Sequence, residues 1–292
     1  MYQLLDDSAV LGFVIERFDG FLSARPGGDD VRMQRISKSW RWPLAGLAGS
    51  CAGALFVPIG GMLWVHLIVT LSAVVVLVRL AHREVPFPVA LAQLRLGGDD
   101  LAVLRARVLS AAASLQQGRP DLTLYRLKSV LPDLNRVLGP AHPDTLSTRL
   151  LSLQVRGETG DLPDRLTAIR ELIGDIAPVL GPGHPDTLAA RHCLAEWLGQ
   201  DGRTDEAEAA YEGVITTGTE HLGADHNLVL IARSSLTILR YDRTGPANGA
   251  AVDDMTAIVA AMERALGPTD PTAASTRRLL TQWRSTQAGS GA

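Results

Sequence analysis

A glycine recurs every 42 residues through the C-terminal two thirds of this 292-residue chain, and an arginine always follows it by ten residues. Only the spacing between the last two copies differs, at 44 residues. A constant period of this length indicates a repeat array, in which each unit buries its apolar face against its neighbours. The five copies begin at Gly97, Gly139, Gly181, Gly223 and Gly267.

Each copy predicts two helices separated by a short turn. In the third copy the first helix is expected to begin near Pro185, because proline lacks an N–H that the first turn of a helix would leave unpaired. The second helix is expected from Thr204 to His221, after a turn that contains a glycine. This turn glycine occurs in three copies, as Gly118, Gly160 and Gly202.

The end of the array departs from this regular pattern. In the fourth copy the turn is expected over residues 242–249, and its two extra residues account for the longer spacing. The fifth copy supplies one helix, from Thr272 to about Ser285, which we expect to cap the array. A disordered tail is predicted for residues 286–292.

The third copy carries the clearest motif, which reads His184-Pro185-Asp186-Thr187-Leu188, then Leu194-Ala195, Gly202-Arg203, Glu206-Ala207 and Tyr211. This motif and period resemble the tetratricopeptide repeat family, in particular its 42-residue kinesin-light-chain-like variety that is common in actinobacterial proteins. The resemblance implies an all-α solenoid over residues 97–285, with about four helix pairs and a capping helix. It also implies a concave groove that binds a protein or peptide partner.

The residues that follow the repeat arginine differ from this family. Paired asparagines at these positions commonly hydrogen-bond an extended ligand backbone in the family. Here the third copy has His192-Cys193 instead, so His192 becomes a candidate for partner binding. The other copies have Leu150-Leu151, Ser234-Ser235 and Arg278-Leu279.

The repeat arginines have two interpretations. They could form a ladder of guanidinium groups that binds carboxylates of a partner, and the candidates are Arg149, Arg191 and Arg233. Alternatively, each could pair with a carboxylate of the next loop, such as Asp144 or Asp186, and so hold successive repeats together.

An uncharged run from Trp42 to Val78 predicts a membrane anchor within residues 39–84. The run is too long for one ordinary span of about 20 residues. Proline and two glycines near residue 60 favour a turn, so we predict a helical hairpin over about 43–57 and 61–79. The alternative is a single span over the second segment.

The residues around the run bear on how the anchor is oriented. Positive charge flanks both ends, which favours a hairpin with both ends in the cytoplasm, at the cell inner membrane. Indole rings are expected at the headgroup level, and small residues four apart allow close helix approach. The anchor residues singled out are Trp40, Arg41, Trp42, Gly49, Gly53 and Arg79.

The remaining segments give little indication of function. Residues 1–38 include an amphipathic stretch, for which we predict a helix in the cytoplasm without assigning a role, and residues 85–96 read as a linker. The 28 basic and 31 acidic residues nearly balance, which disfavours nucleic-acid binding. Two cysteines cannot form a disulfide framework.

No catalytic motif is present in the sequence, so we expect no enzyme activity and no cofactor. The loop histidines, His142, His184 and His226, invite a metal-site interpretation. Equivalent positions of successive repeats lie too far apart for ligands that must all come within about 2.3 Å of one ion, so no metal is expected. The predicted function is a membrane-anchored interaction scaffold; the alternative is a sensor or regulatory subunit that binds a peptide or a small ligand.

Overall fold

A computed structural model describes residues 97–245 and 249–290, with side chains described as far as residue 287. The described residues form nine α-helices and no strand. These helices are α1 Leu101–Gln116, α2 Pro120–Val137, α3 Pro143–Glu158, α4 Arg165–Leu180, α5 Pro185–Gln200, α6 Thr204–Leu222, α7 Asn227–Thr244, α8 Gly249–Leu266 and α9 Pro271–Ser290. The prediction of an all-α array of helix pairs is therefore confirmed for this part of the chain.

The repeat glycine separates one helix pair from the next, and its backbone conformation explains why it recurs. All five copies have φ between 90° and 96°, a left-handed region in which a side chain is strained. The turn glycines within pairs, of which Gly202 has φ 76°, follow the same rule. Both series of helix ends are therefore determined locally.

The first helix of every pair begins at one capping position that the sequence analysis had not identified. In α3, α5 and α7 the Nδ1 atom of a histidine accepts a hydrogen bond from a backbone N–H two residues later, at 3.1–3.2 Å. In α1 and α9 an aspartate oxygen accepts the equivalent bond, at 2.8 Å. The five capping residues are Asp100, His142, His184, His226 and Asp270.

Each helix packs against the next along the chain, as expected for an array of antiparallel pairs. In addition, α5 packs against both α3 and α7, so the first helices of these three pairs form a continuous row. The central core joins residues of successive pairs, among them Leu150, Ile169, Leu188 and Leu228, all at most 2% exposed.

The last helix differs from its predicted length. It ends at Ser290 rather than near Ser285, so residues 286–290 are helical where a disordered tail was expected. No proline interrupts this stretch, and residues such as Gln287 and Ala288 favour helix.

The predicted membrane hairpin, linker and N-terminal segment lie outside the described residues. Within residues 97–245 and 249–290, none of the helices combines the length and the apolar character that a membrane span requires.

Candidate protein-interaction surface

The repeat arginines occupy equivalent positions on the first helices, and two of them pair within their own repeat. Arg107 on α1 donates to an Asp133 oxygen of α2 at 2.6 Å and to the Ser129 carbonyl at 2.7 Å. Arg149 on α3 donates to an Asp175 oxygen of α4 at 2.8 Å. The partner aspartate stands six residues before the following repeat glycine in both cases.

The predicted alternative, in which the arginines pair with the next loop, is therefore right about ion pairing but wrong about the partner. The carboxylate of Asp144 accepts instead from Arg105, two residues before the repeat arginine, at 3.0 Å. Asp186 accepts a hydrogen bond from Ser147, at the equivalent position of the next repeat. Residues two apart lie about 200° apart around a helix, so only the earlier one faces the next pair.

In the third and fourth pairs, no aspartate stands at the position that pairs with the repeat arginine in the first two pairs. The residue six before the following glycine is Thr217 on α6 and Ala261 on α8. Arg191 and Arg233 are half-buried. Neither guanidinium group makes an ion pair or a side-chain hydrogen bond within the part of the chain that the structure describes.

The repeat arginine of the last helix is paired differently. Arg277 on α9 donates to a Glu263 oxygen of α8 at 2.5 Å. Since α9 has no second helix after it among the described residues, the partner belongs to the preceding pair. The repeat arginines thus lie against second helices in the three copies where a partner exists.

His192 on α5 contacts the next first helix, α7, and the second helix of its own pair, α6. Its Nε2 atom lies 3.2 Å from the Ser235 hydroxyl of α7, and its ring meets the Tyr211 ring edge-on at a centroid distance of 5.3 Å. Adjacent residues point about 100° apart on a helix, so His192 and Arg191 face different neighbours. Cys193 is buried at 3% exposure.

The carboxylate of the Arg107–Asp133 pair has a shifted pKa. Burial by itself would raise the pKa of Asp133, but hydrogen bonds from Arg107 and Arg136 outweigh it, so the pKa lies below its usual range. The carboxylate is thus held ionised by two guanidinium groups.

We expect Asp133→Asn to lower the free energy of unfolding by about 1–3 kcal/mol at pH 7, because Arg107 loses its charged partner while only 11% exposed. A lowered folded-state pKa stabilises the fold above the unfolded value, near 4, and that contribution is lost as the pH falls through the folded pKa. The difference from wild type should therefore shrink at pH 3 in urea denaturation. The same loss at both pH values, or an equal loss in the exposed-site control Asp225→Asn, would contradict the assignment.

The structure gives the loop histidines a capping role. Within residues 97–245 and 249–290, no group of three or more histidine, cysteine, aspartate or glutamate side chains is placed to hold a metal ion. The predicted anchor residues, Trp40, Arg41, Trp42, Gly49, Gly53 and Arg79, lie outside the described residues.

One repeat of the chain matches a known family model. Residues 187–228 match the model of the tetratricopeptide repeat. No curated protein matches the chain.

Two crystal structures of a kinesin-light-chain-type protein from Podosopora anserina with nearly identical TPR-like repeats are similar to the chain at 20% identity. The alignments cover 61% of this chain and 82% and 83% of those chains, with TM-scores of 0.45 and 0.44. The match of residues 187–228, within a series of helix pairs of the same period, supports a tetratricopeptide-repeat protein.

Proposed function

We propose that this protein is an interaction scaffold that is held at a membrane by residues 39–84 and presents its helix pairs to a protein or peptide partner in the cytoplasm. The observation that carries the proposal is the row of first helices α3, α5 and α7, which pack against one another across three pairs. Tetratricopeptide repeats generally mediate protein–protein interaction, and the third pair matches that family.

The residues proposed to contact the partner are Arg149, Arg191, Arg233 and His192. Arginine is suited to this role because its planar guanidinium group binds carboxylates through two parallel hydrogen bonds. Arg149 already donates a hydrogen bond to Asp175. It therefore has fewer donors left for a partner than Arg191 or Arg233.

Charge reversal tests the scaffold. Epitope-tagged full-length protein and its Arg149→Glu, Arg191→Glu, Arg233→Glu variant would be purified from cells after cross-linking, and co-purifying proteins compared by quantitative mass spectrometry. We expect the triple variant to lose at least 80% of the specific partner, about a fivefold change, which corresponds to about 1 kcal/mol.

The matched control reverses three exposed arginines elsewhere, Arg119, Arg170 and Arg264, and should retain the partner. Circular dichroism checks that both variants keep their helices. Unchanged capture by a folded triple variant would contradict the proposed surface. A wild-type protein that co-purifies with no protein beyond the tag-only background would contradict the scaffold function itself.

The membrane part of the proposal rests on the uncharged run 42–78 and its basic flanks. It is tested by cysteine accessibility in intact cells, in a background with Cys51→Ser and Cys193→Ala. Single reporters Ser23→Cys and Ala288→Cys should react with an impermeant maleimide only after the cells are permeabilised. Labelling of Ala288→Cys from outside would contradict cytoplasmic repeats.

A further inference from the structure

We propose that Arg191 and Arg233 together form a binding site for an acidic peptide segment, with one carboxylate of the segment at each guanidinium group. This inference rests on the scaffold function and narrows it to a ligand chemistry and to two of the repeat arginines. It begins from the difference between the first two helix pairs and the next two.

In the first two pairs an aspartate of the same pair forms an ion pair with the repeat arginine, and in the next two pairs no described residue does. Asp133 and Asp175 stand six residues before a repeat glycine, where the third and fourth pairs have Thr217 and Ala261. Both pairs nevertheless have the repeat arginine, which has no intramolecular carboxylate partner within residues 97–245 and 249–287. A half-buried guanidinium group without a counter-ion attracts a carboxylate strongly, because partial burial weakens the screening of the two charges by water.

The acidic side chains of the neighbouring second helices do not compensate for this loss. On α6, Glu208 and Glu212 accept hydrogen bonds from Arg240 at 2.6 and 2.7 Å. On α4, the Asp175 carboxylate is used by Arg149.

The other acidic groups of these two helices are also placed elsewhere. Asp205 and Glu206 of α6 form ion pairs with Arg243 and Arg203. Glu171 and Glu220 are exposed, and neither forms an ion pair with Arg191 or Arg233 in the described part of the chain. On α8, the second helix of the pair that contains Arg233, Glu263 pairs with Arg277, and neither Asp253 nor Asp254 forms an ion pair with Arg233 in the described part of the chain. A carboxylate from outside the array would therefore meet no internal acid already paired with either arginine.

One position on α6 that corresponds to a contact of Arg107 is open in the third pair. In the first pair, the guanidinium group of Arg107 also donates to the carbonyl of Ser129. The residue equivalent to Ser129 in the third pair is Gly213 on α6. Gly213 is exposed, and a Cβ atom added there would meet no atom within 4 Å. The side-chain position that Ser129 occupies beside the guanidinium group of Arg107 in the first pair is thus open in the third.

The two arginines are close enough to act on one segment. They occupy equivalent positions on α5 and α7, which pack directly together and are joined by the His192–Ser235 contact of 3.2 Å. Packed helix axes lie about 8–10 Å apart. In an extended peptide, alternate side chains lie on one face about 7 Å apart, and the long arginine and glutamate side chains span the remainder. Alternating glutamates therefore fit the pair.

The test restores the missing aspartate. Thr217→Asp should place a carboxylate beside Arg191, as Asp175 lies beside Arg149, and so compete with the ligand without removing an arginine. Thr217→Asn has nearly the same shape and no charge, which makes it the matched control.

Binding is measured by fluorescence anisotropy with the full-length chain in detergent micelles. The probe is a fluorescein-labelled peptide of ten residues in which glutamate and glycine alternate, and the control peptide has glutamine in place of glutamate. We expect Thr217→Asp and the double variant Arg191→Gln, Arg233→Gln to weaken glutamate-peptide binding at least tenfold. Thr217→Asn and the exposed-site variant Arg119→Gln should stay within twofold of wild type.

Equal affinity of wild type and Thr217→Asp for the glutamate peptide, equal affinity for both peptides, or no measurable binding by wild type would overturn the acidic-peptide site. The partner capture described above separates this outcome from failure of the scaffold. If Thr217→Asp still captures the natural partner as wild type does, the site is wrong and the scaffold stands. If wild type captures no partner, the scaffold fails whatever the peptide does.

Discussion

Trp283→Ala is expected to lower the free energy of unfolding by about 3–5 kcal/mol, the largest effect of any single substitution considered. The indole is 1% exposed and stacks on the Tyr241 ring with centroids 3.8 Å apart and an interplanar angle of 6°. It belongs to the cluster that joins α9 to α7 and α8, together with Met255 and Leu280. Alanine would leave a cavity between three helices.

The effect should be largest at the end of the array. Each pair of a repeat protein contacts only its neighbours, so losing the last contact should free α8 and α9 before the central pairs unfold. Chemical denaturation followed by circular dichroism measures the total loss, and hydrogen exchange shows where protection disappears. Trp283→Phe, which keeps an aromatic ring against Tyr241, should recover more than half of the loss. A cost below about 1 kcal/mol, comparable to that expected at the exposed Gln282→Ala control, would contradict this packing.

Gly157→Ala is expected to destabilise the fold by about 1–3 kcal/mol, although the same change inside a helix ordinarily stabilises it. A Cβ atom at Gly157 on α3 would lie 2.2 Å from Cζ2 of Trp197 and within 3 Å of two further atoms of the indole. Trp197 on α5 is 2% exposed, so its ring cannot move into solvent. The clash therefore separates the second and third pairs.

A matched control substitution is expected to change the stability in the opposite direction. Gly174 lies within α4, is exposed, and has no atom within 4 Å of an added Cβ. Gly174→Ala should therefore stabilise the protein by up to about 1 kcal/mol. Smaller residues at position 197 should relieve the clash, so Gly157→Ala should cost less in a Trp197→Leu background than in wild type. Stabilisation by Gly157→Ala would contradict the close approach of these two helices.

Many helix boundaries could be predicted from the sequence because they depend on local chemistry. The first helix of the third pair begins at Pro185 and the second at Thr204, as predicted, and the second ends at Leu222, one residue beyond its predicted end. Proline, the turn glycine and the repeat glycine act within a few residues of their own positions. The predicted end of the last helix near Ser285 was wrong, and the reason is also local: neither proline nor glycine stands between residues 285 and 288, and α9 continues to Ser290.

The partners of the repeat arginines could not be predicted in the same way. The sequence shows that Arg107 and Arg149 repeat, but Asp133 lies 26 residues after Arg107 and approaches it only because α2 folds back on α1. The loop aspartates that seemed suitable partners are used by Arg105 and Ser147. Likewise, the capping role of His142 depends on the orientation of its ring relative to the first turn of α3.

The sequence by itself determined the helix pairs, their 42-residue period and their number, because turns and helix starts follow from the conformational limits of glycine and proline at each position. Only the tertiary structure decided which charges are neutralised and which are left available. Ion pairing depends on distances between side chains of different helices, and those distances exist only once the helices pack. For that reason Arg149 and Arg191 look identical in the repeat pattern, while only Arg149 has an internal carboxylate among the described residues.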